Sequence, residues 1–411
     1  FFVTMVSTSR SPRTNRSAES EPDAIPPSVS RTAASALRSK YSSLAHGGYD
    51  VEPLDSPREN GEVAPSASSD GGAYLRLVLR FLERTCETSI GNTDVGGGAS
   101  GTRRRNEIGR QTPLNNALYA CRTACVLSSV GHFLRTQHGD VNLVILGCGL
   151  DPLGIWACNR DDSRCEPRTG RIAVADVEGS RSVLERKVRA VQAESRDGGD
   201  DGTGCWGAVE TSGGAVRILP VAVRGERHAY VAVQYDLRRE ASAPADASPL
   251  AEALAAAGLC ADDPTLVVSE VVASYVSLEA RGAVLWGTFG GAFGRCALIL
   301  YEPMRNDGLG ASFGSQQAEM FRRGVRGADG GSGGGDHVPL PAGETVRSLE
   351  DGPWEAAGCV FAAAAAAAVL PGGGLRSTGE SAFDEHAALE LALRTYAVFW
   401  ARRGLTAGCT P

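Results

Sequence analysis

Two glycines and four acids in this chain each follow a short apolar run, and that placement is what gives them chemistry. The first run, Leu143-Val144-Ile145-Leu146, passes straight into Gly147-Cys148-Gly149-Leu150-Asp151. Glycines at that point let the backbone approach a ligand at the carboxyl edge of an open α/β sheet. They serve a plain tight turn equally well. A dinucleotide fingerprint needs a third glycine where Pro152 stands, so that pattern fails. The second run, Ile172 to Glu178, carries Asp176 and ends in Glu178. An acid ending a second strand can accept both hydroxyl protons of a ribose, or it can cap the helix that follows. Asp236 comes after the apolar run Ala229 to Val233, and Glu270 after Leu266-Val267-Val268-Ser269, with Tyr275 five residues later. A carboxylate there is costly to bury unpaired, and a cationic or hydrogen-bonding partner removes that cost. The amino group of a bound cofactor would be one such partner.

These residues need a sheet to bring them to one edge. Strands are predicted at 141–146, 171–176, 217–223, 229–235, 265–269 and 296–301. Helices are predicted near 33–44, 73–84, 114–134, 180–193, 248–257, 278–287, 313–324 and 383–402. Continuous apolar strands alternating with amphipathic helices predict a parallel sheet covered on both faces. Glycine-rich or polar insertions interrupt the pattern at 91–104, 195–214, 238–247 and 325–340. The alanine run Ala362 to Ala368 suits a helix by propensity and is given no function. Residues 1–30, rich in Ser, Pro and Arg, are expected to be a disordered tail ahead of one domain over 31–411. A Gly-x-Gly with an acid soon after is the pattern of S-adenosylmethionine sites. Strand–glycines, strand–acid, strand–Asp and strand–Glu, in that order, predict a Rossmann-like class I methyltransferase of the α/β class.

Composition narrows the partners. The chain has 411 residues and a net charge of −7, which disfavours a broad phosphate-binding surface and hence nucleic acid. Eleven cysteines include no C-x-x-C pair, and six histidines are scattered, so no metal site is expected. An odd cysteine count without a framework fits reduced thiols, and a cytoplasmic or nuclear location is expected. The apolar run Cys359 to Leu370 is too short to cross a bilayer.

The segment Thr112-Pro113-Leu114, Asn116, Tyr119, Arg122 and Val126 resembles the stretch before the first strand in leucine carboxyl methyltransferases, P-x-I-N-R-G-Y-x-x-R. Leu146 to Asp151 is similar to that family's L-G-A-G-x-D, Asp236-Leu237-Arg238 to its D-L-R, and Glu270 with Tyr275 to its A-E-x-x-x-x-Y. Tyr301-Glu302 with Phe313-Gly314 resembles Y-E-Q with a later F-G. Trp354-Glu355 and Phe383 through Tyr396 and Trp400 resemble its closing segments, and Arg38 to Tyr41 with Gly48-Tyr49 its K-R-F…G-Y start. The resemblance runs in order over roughly residues 30–403. Two positions depart from it: Ala117-Leu118 replace Arg-Gly, and Pro303 replaces the Gln of Y-E-Q.

The resemblance implies S-adenosylmethionine as cofactor and the C-terminal leucine carboxylate of a type 2A protein phosphatase catalytic subunit as acceptor, with the enzyme expected as a monomer. It implies that Arg122 holds the carboxylate of the cofactor's methionine part. Lys40 is the matching cofactor lysine, with Arg38 an alternative one gap away. Gly147 and Gly149 approach the cofactor by their backbone, Glu178 or Asp176 takes the ribose, Asp236 and Leu237 frame the adenine, and Glu270 meets the methionine end. Tyr275 is implied to position the acceptor. Related wybutosine-synthesis methyltransferases act on a tRNA base, which the acidic charge disfavours. A catalytically dead module using the same groove is a third reading, kept open by Ala117 and Pro303 and opposed by the intact Arg122, Gly147, Asp236 and Glu270.

Overall fold

A computed structural model describes residues 27–46, 70–90, 111–159, 170–197, 209–211, 216–218, 228–244, 247–305, 339–369 and 386–405. Among the described residues, three helices precede the first strand: α1 (Pro27–His46), α2 (Asp70–Ile90) and α3 (Pro113–Thr136). The start of α3 is set locally. Thr112 accepts a hydrogen bond from the Asn115 amide, and Pro113 occupies the first turn, where a missing N–H costs nothing.

The chain then alternates β1 (Val141–Leu146), α4 (Leu153–Asn159), β2 (Ile172–Glu178) and α5 (Arg181–Asp197). A small antiparallel pair follows, β3 (Val209–Thr211) with β4 (Val216–Ile218). Next come β5 (His228–Gln234), a 3-10 turn (Leu237–Ser242), α6 (Pro249–Ala256) and β6 (Thr265–Glu270). A second 3-10 turn (Ala273–Tyr275), α7 (Leu278–Gly282) and a π-helix (Ala283–Ala292) lead to β7 (Cys296–Pro303). The described chain closes with α8 (Ala342–Glu350), β8 (Ala356–Phe361), α9 (Ala362–Val369), α10 (His386–Leu393) and β9 (Tyr396–Arg403).

Seven strands form one sheet in the order β5-β2-β1-β6-β7-β9-β8. Only β9 runs against the rest, antiparallel to both β7 and β8. This is the Rossmann-like sheet of class I methyltransferases, mostly parallel with helices on both faces. Every residue of β1, β2 and β7 is buried, as a sheet covered on both sides requires. Period-2 alternation divides the core. Leu143, Ile145, Val174 and Val268 pack with α1, α2 and α3 on one face, while Val144, Leu146, Val177 and Val267 pack with α6 and the π-helix on the other. β1 lies between β2 and β6 with Leu146 opposite Val177 and Ser269, so the ends of all three strands meet at one edge.

Several expectations change. The predicted helix at 383–402 ends at Leu393 as α10, and Tyr396–Arg403 forms β9 instead. The cluster Tyr396, Val398, Phe399 and Trp400 favours a pleated surface, and its helical spacing was coincidental. β8 had no predicted counterpart. The predicted strand at 217–223 survives only as β4, outside the main sheet, and 219–227 lie outside the described residues. The helix expected at 278–287 is divided between α7 and the π-helix. The stretch 238–247, read as a polar insertion, contains an ordered 3-10 turn with a buried Glu240. α1 begins at Pro27 rather than after residue 30, and residues 1–26, the insertion at 91–104 and the helix expected at 313–324 lie outside the described residues.

Candidate functional site

The carboxyl edge of the sheet begins with the turn after β1. Gly147 and Gly149 have φ of 57° and 52°, a region that side chains disfavour. A Cβ on Gly147 would also lie 2.4 Å from Cγ2 of Val272, in the turn after β6. The Gly149 amide donates to Oε2 of Glu178 (3.0 Å), and the Ser180 amide to Oε1 (2.9 Å). One carboxylate thus joins the end of β2 to the glycine turn. Burial pushes the Glu178 carboxyl above its ordinary pKa, against the pull of those amide donors. We expect Gly147→Ala to cost about 1–3 kcal/mol of stability from backbone strain and collision with Val272. Chemical denaturation of the variant checks this, and an unchanged unfolding free energy would show the turn to be tolerant.

Four charges gather where β1 and β6 end. The Arg122 Nε, from α3, lies 2.5 Å from Oε2 of Glu270, and its Nη2 donates to the Glu270 carbonyl at 3.1 Å. The Lys40 ammonium, from α1, lies 2.9 Å from Oε1 and 2.8 Å from Oε2 of the same carboxylate and also pairs with Asp151. The Tyr74 hydroxyl, from α2, donates to Oδ1 of Asp151 at 2.7 Å, and the Leu153 amide donates to the same oxygen at 2.9 Å. Burial raises the Asp151 carboxyl, but Lys40 and Tyr74 overcome this and hold it below the usual range. The Arg122 guanidinium stands 5.5 Å from the Tyr119 ring centre, within cation–π range. Glu270, whose cost of burial called for a partner, therefore has two cations from within the chain.

Other expected residues are placed as follows. Asp236 holds Arg238 through Nε (3.0 Å) and Nη2 (2.7 Å) and caps the Arg238 amide. Burial raises its carboxyl, but Arg238 outweighs this and lowers it. The Leu237 side chain is packed into the core, and Tyr275 is 42% exposed at the edge. Asp176 was the alternative to Glu178 for the ribose. It lies below the edge, fully buried, 2.5 Å from the Lys187 ammonium and bonded to the Tyr230 hydroxyl. Glu178, two residues on, is the acid that reaches the turn.

Asp151 and Glu302 stand within the quoted motifs but were given no role there, and Tyr74 and Lys187 show no local signal in the sequence. A cavity of about 240 Å³ lies alongside, walled by Ser274, Arg281, Leu285, Trp286, Glu302 and Leu349 among others. Among the described residues no cluster of His, Cys, Asp or Glu could hold a metal, and no helix is long and apolar enough to cross a membrane.

No family model matches the chain, and no curated protein matches it. Solved structures do. A proposed methyltransferase of Thermobifida fusca is 13% identical, with a TM-score of 0.40, over 80% of this chain and 88% of its own. A geranyl diphosphate methyltransferase in complex with GPP and sinefungin is 14% identical, with a TM-score of 0.37, over 78% and 93%. The magnesium protoporphyrin IX methyltransferase of Synechocystis PCC 6803 with bound SAH is 13% identical, with a TM-score of 0.36, over 74% and 93%.

Proposed function

We propose that this edge binds S-adenosylmethionine and that the chain methylates a carboxylate, namely the C-terminal leucine carboxylate of a type 2A protein phosphatase catalytic subunit. The observation that carries the cofactor reading is the cluster of Lys40, Arg122, Asp151 and Glu270. Two cations and two carboxylates at the strand ends match both halves of a zwitterionic amino acid. The donor set therefore fits the methionine end of the cofactor. Arg122 and Lys40 would hold its carboxylate, and Glu270 and Asp151 its ammonium. Glu178, beside Gly149, would take the ribose hydroxyls, and Asp236, just after β5, would frame the adenine.

The cofactor supplies a methyl group on a positively charged sulfur. A carboxylate acceptor, with a pKa of about 4, is already ionised at neutral pH, so the chain has no proton to remove. Its residues have only to orient the acceptor and exclude water. Tyr275, exposed at its position after β6, would orient the acceptor. The leucine carboxylate itself is supported by the sequence resemblance. Of the two departures from it, Ala117 is a fully buried packing residue, whereas Pro303 lines the cavity beside the edge and bears on acceptor choice.

The test is transfer of a labelled methyl group to the phosphatase subunit, alongside the same subunit lacking its last residue. Base-labile label is expected on the intact subunit only. Equal labelling of both, or none on either while the cofactor binds, would remove the leucine carboxylate.

A further inference from the structure

Val271, directly after Glu270, has φ of 58°, a left-handed conformation that a β-branched side chain resists. What holds it there is on the neighbouring strand. The Val271 amide donates to the Tyr301 carbonyl at 2.8 Å. The next residue of β7, Glu302, then collects the whole following turn. Its Oε1 accepts from the amides of Val272 (2.9 Å) and Ala273 (3.0 Å), and from the Ser269 hydroxyl (3.3 Å). Its Oε2 accepts from the Ser274 amide (3.2 Å) and hydroxyl (2.9 Å). Three successive amides converging on one carboxylate form a nest, here filled by a side chain.

We propose that Glu302 is a positioning residue for the site. Its carboxylate keeps the 271–274 turn in a strained form that aims Glu270 at the charged cluster and seats Val272 behind Gly147. The two consequences share one anchor. Glu270 is the last residue before the strained position, so releasing the turn frees its direction. Val272 touches the space where a Gly147 side chain would be, so the same release loosens the glycine turn. Glu302 spends both carboxylate oxygens on that turn and on Ser269, and so acts on Glu270 through the backbone between them. Its charge is needed because both oxygens accept. A glutamine keeps the shape but turns an N–H₂ toward amide donors on one side. This role rests on the cofactor reading for its consequence, though not for its geometry.

The experiment uses Glu302→Gln, Val271→Gly and their combination. Amide exchange of residues 272–274 should accelerate at least tenfold in Glu302→Gln, while amides of β1 and β2 keep their protection. Unchanged exchange at 272–274 would overturn the anchoring, whatever the ligand is. Titrated with S-adenosylhomocysteine at a temperature well below melting, Glu302→Gln should bind at least tenfold more weakly than the wild type. Adding Val271→Gly, which is at ease at positive φ, should recover at least threefold of that loss. Equal binding by wild type and Glu302→Gln, or no recovery in the combination, would reject the positioning role. No binding by the wild type would reject the cofactor reading instead and leave the exchange result to decide the anchoring. Should Glu302→Gln fail to fold, Glu302→Asp retains the charge at shorter reach and serves in the same comparisons.

Discussion

Glu270→Gln is expected to weaken cofactor binding at least a hundredfold, about 2.7 kcal/mol, and to lower stability as well. The binding loss follows from removing the one carboxylate that touches both Arg122 and Lys40. The amide keeps the shape but offers an ammonium one neutral oxygen in place of a charge. Stability falls because Arg122 and Lys40 are partly or wholly enclosed and were balanced by that charge. Stranding a buried ion costs about 3–5 kcal/mol, and Lys40 retains Asp151, so the lower end applies. Calorimetric titration at low temperature, together with a thermal melt, measures the two effects on one protein. A variant that melts early yet binds normally would reduce Glu270 to a structural ion-pair partner.

Lys187→Met should be strongly destabilising. The Lys187 and Asp176 side chains are both wholly buried, and methionine leaves the carboxylate with only the Tyr230 hydroxyl as donor. The expected loss is about 3–5 kcal/mol. The deficit should also depend on pH. Burial already pushes the Asp176 carboxyl up despite Lys187, and without the ammonium it rises further. A carboxyl whose folded pKa exceeds its unfolded value, about 3.9, favours folding below that value and loses the advantage as pH rises through the folded one. The variant's deficit should therefore be smaller at pH 5 than at pH 8, as urea unfolding at the two pH values would show. Equal deficits would mean that no carboxylate charge had been stranded. Replacing both partners, as in Asp176→Leu with Lys187→Met, should recover much of the loss.

The parts of the site legible in the sequence were those written locally. Apolar runs ending in Gly147, Glu178, Asp236 and Glu270 announced strand ends, because a doubly covered strand must be apolar throughout and the first polar or glycine residue marks its exit. Lys40 and Arg122 came from the resemblance alone, since an isolated cation on a helix carries no sign of which strand it faces. Tyr74 and Lys187 stayed hidden for the same reason. Periodicity placed each on a helix, and only packing brought α2 over Asp151 and α5 over Asp176. Glu302 was visible as part of a motif but silent as to role, because its partners are backbone amides 28 to 30 residues earlier. The far side of the sheet was misread where β9 shares its apolar spacing with a helix.

The position of β9 also sets an order of events. Among the described strands β8 bonds to β9 alone, and β9 follows it in the chain. While the chain is being made, β1, β2, β5, β6 and β7 can pair as they emerge, but β8 has nowhere to go. Until residues 396–403 arrive, the nascent sheet ends at β7, whose open backbone is an invitation to wrong partners. The glycine turn and the acids lie on strands complete well before that moment, so the ligand edge can take shape in a molecule whose opposite flank is still unfinished. Late insertion of one reversed strand then closes that flank and brings β8 in with it.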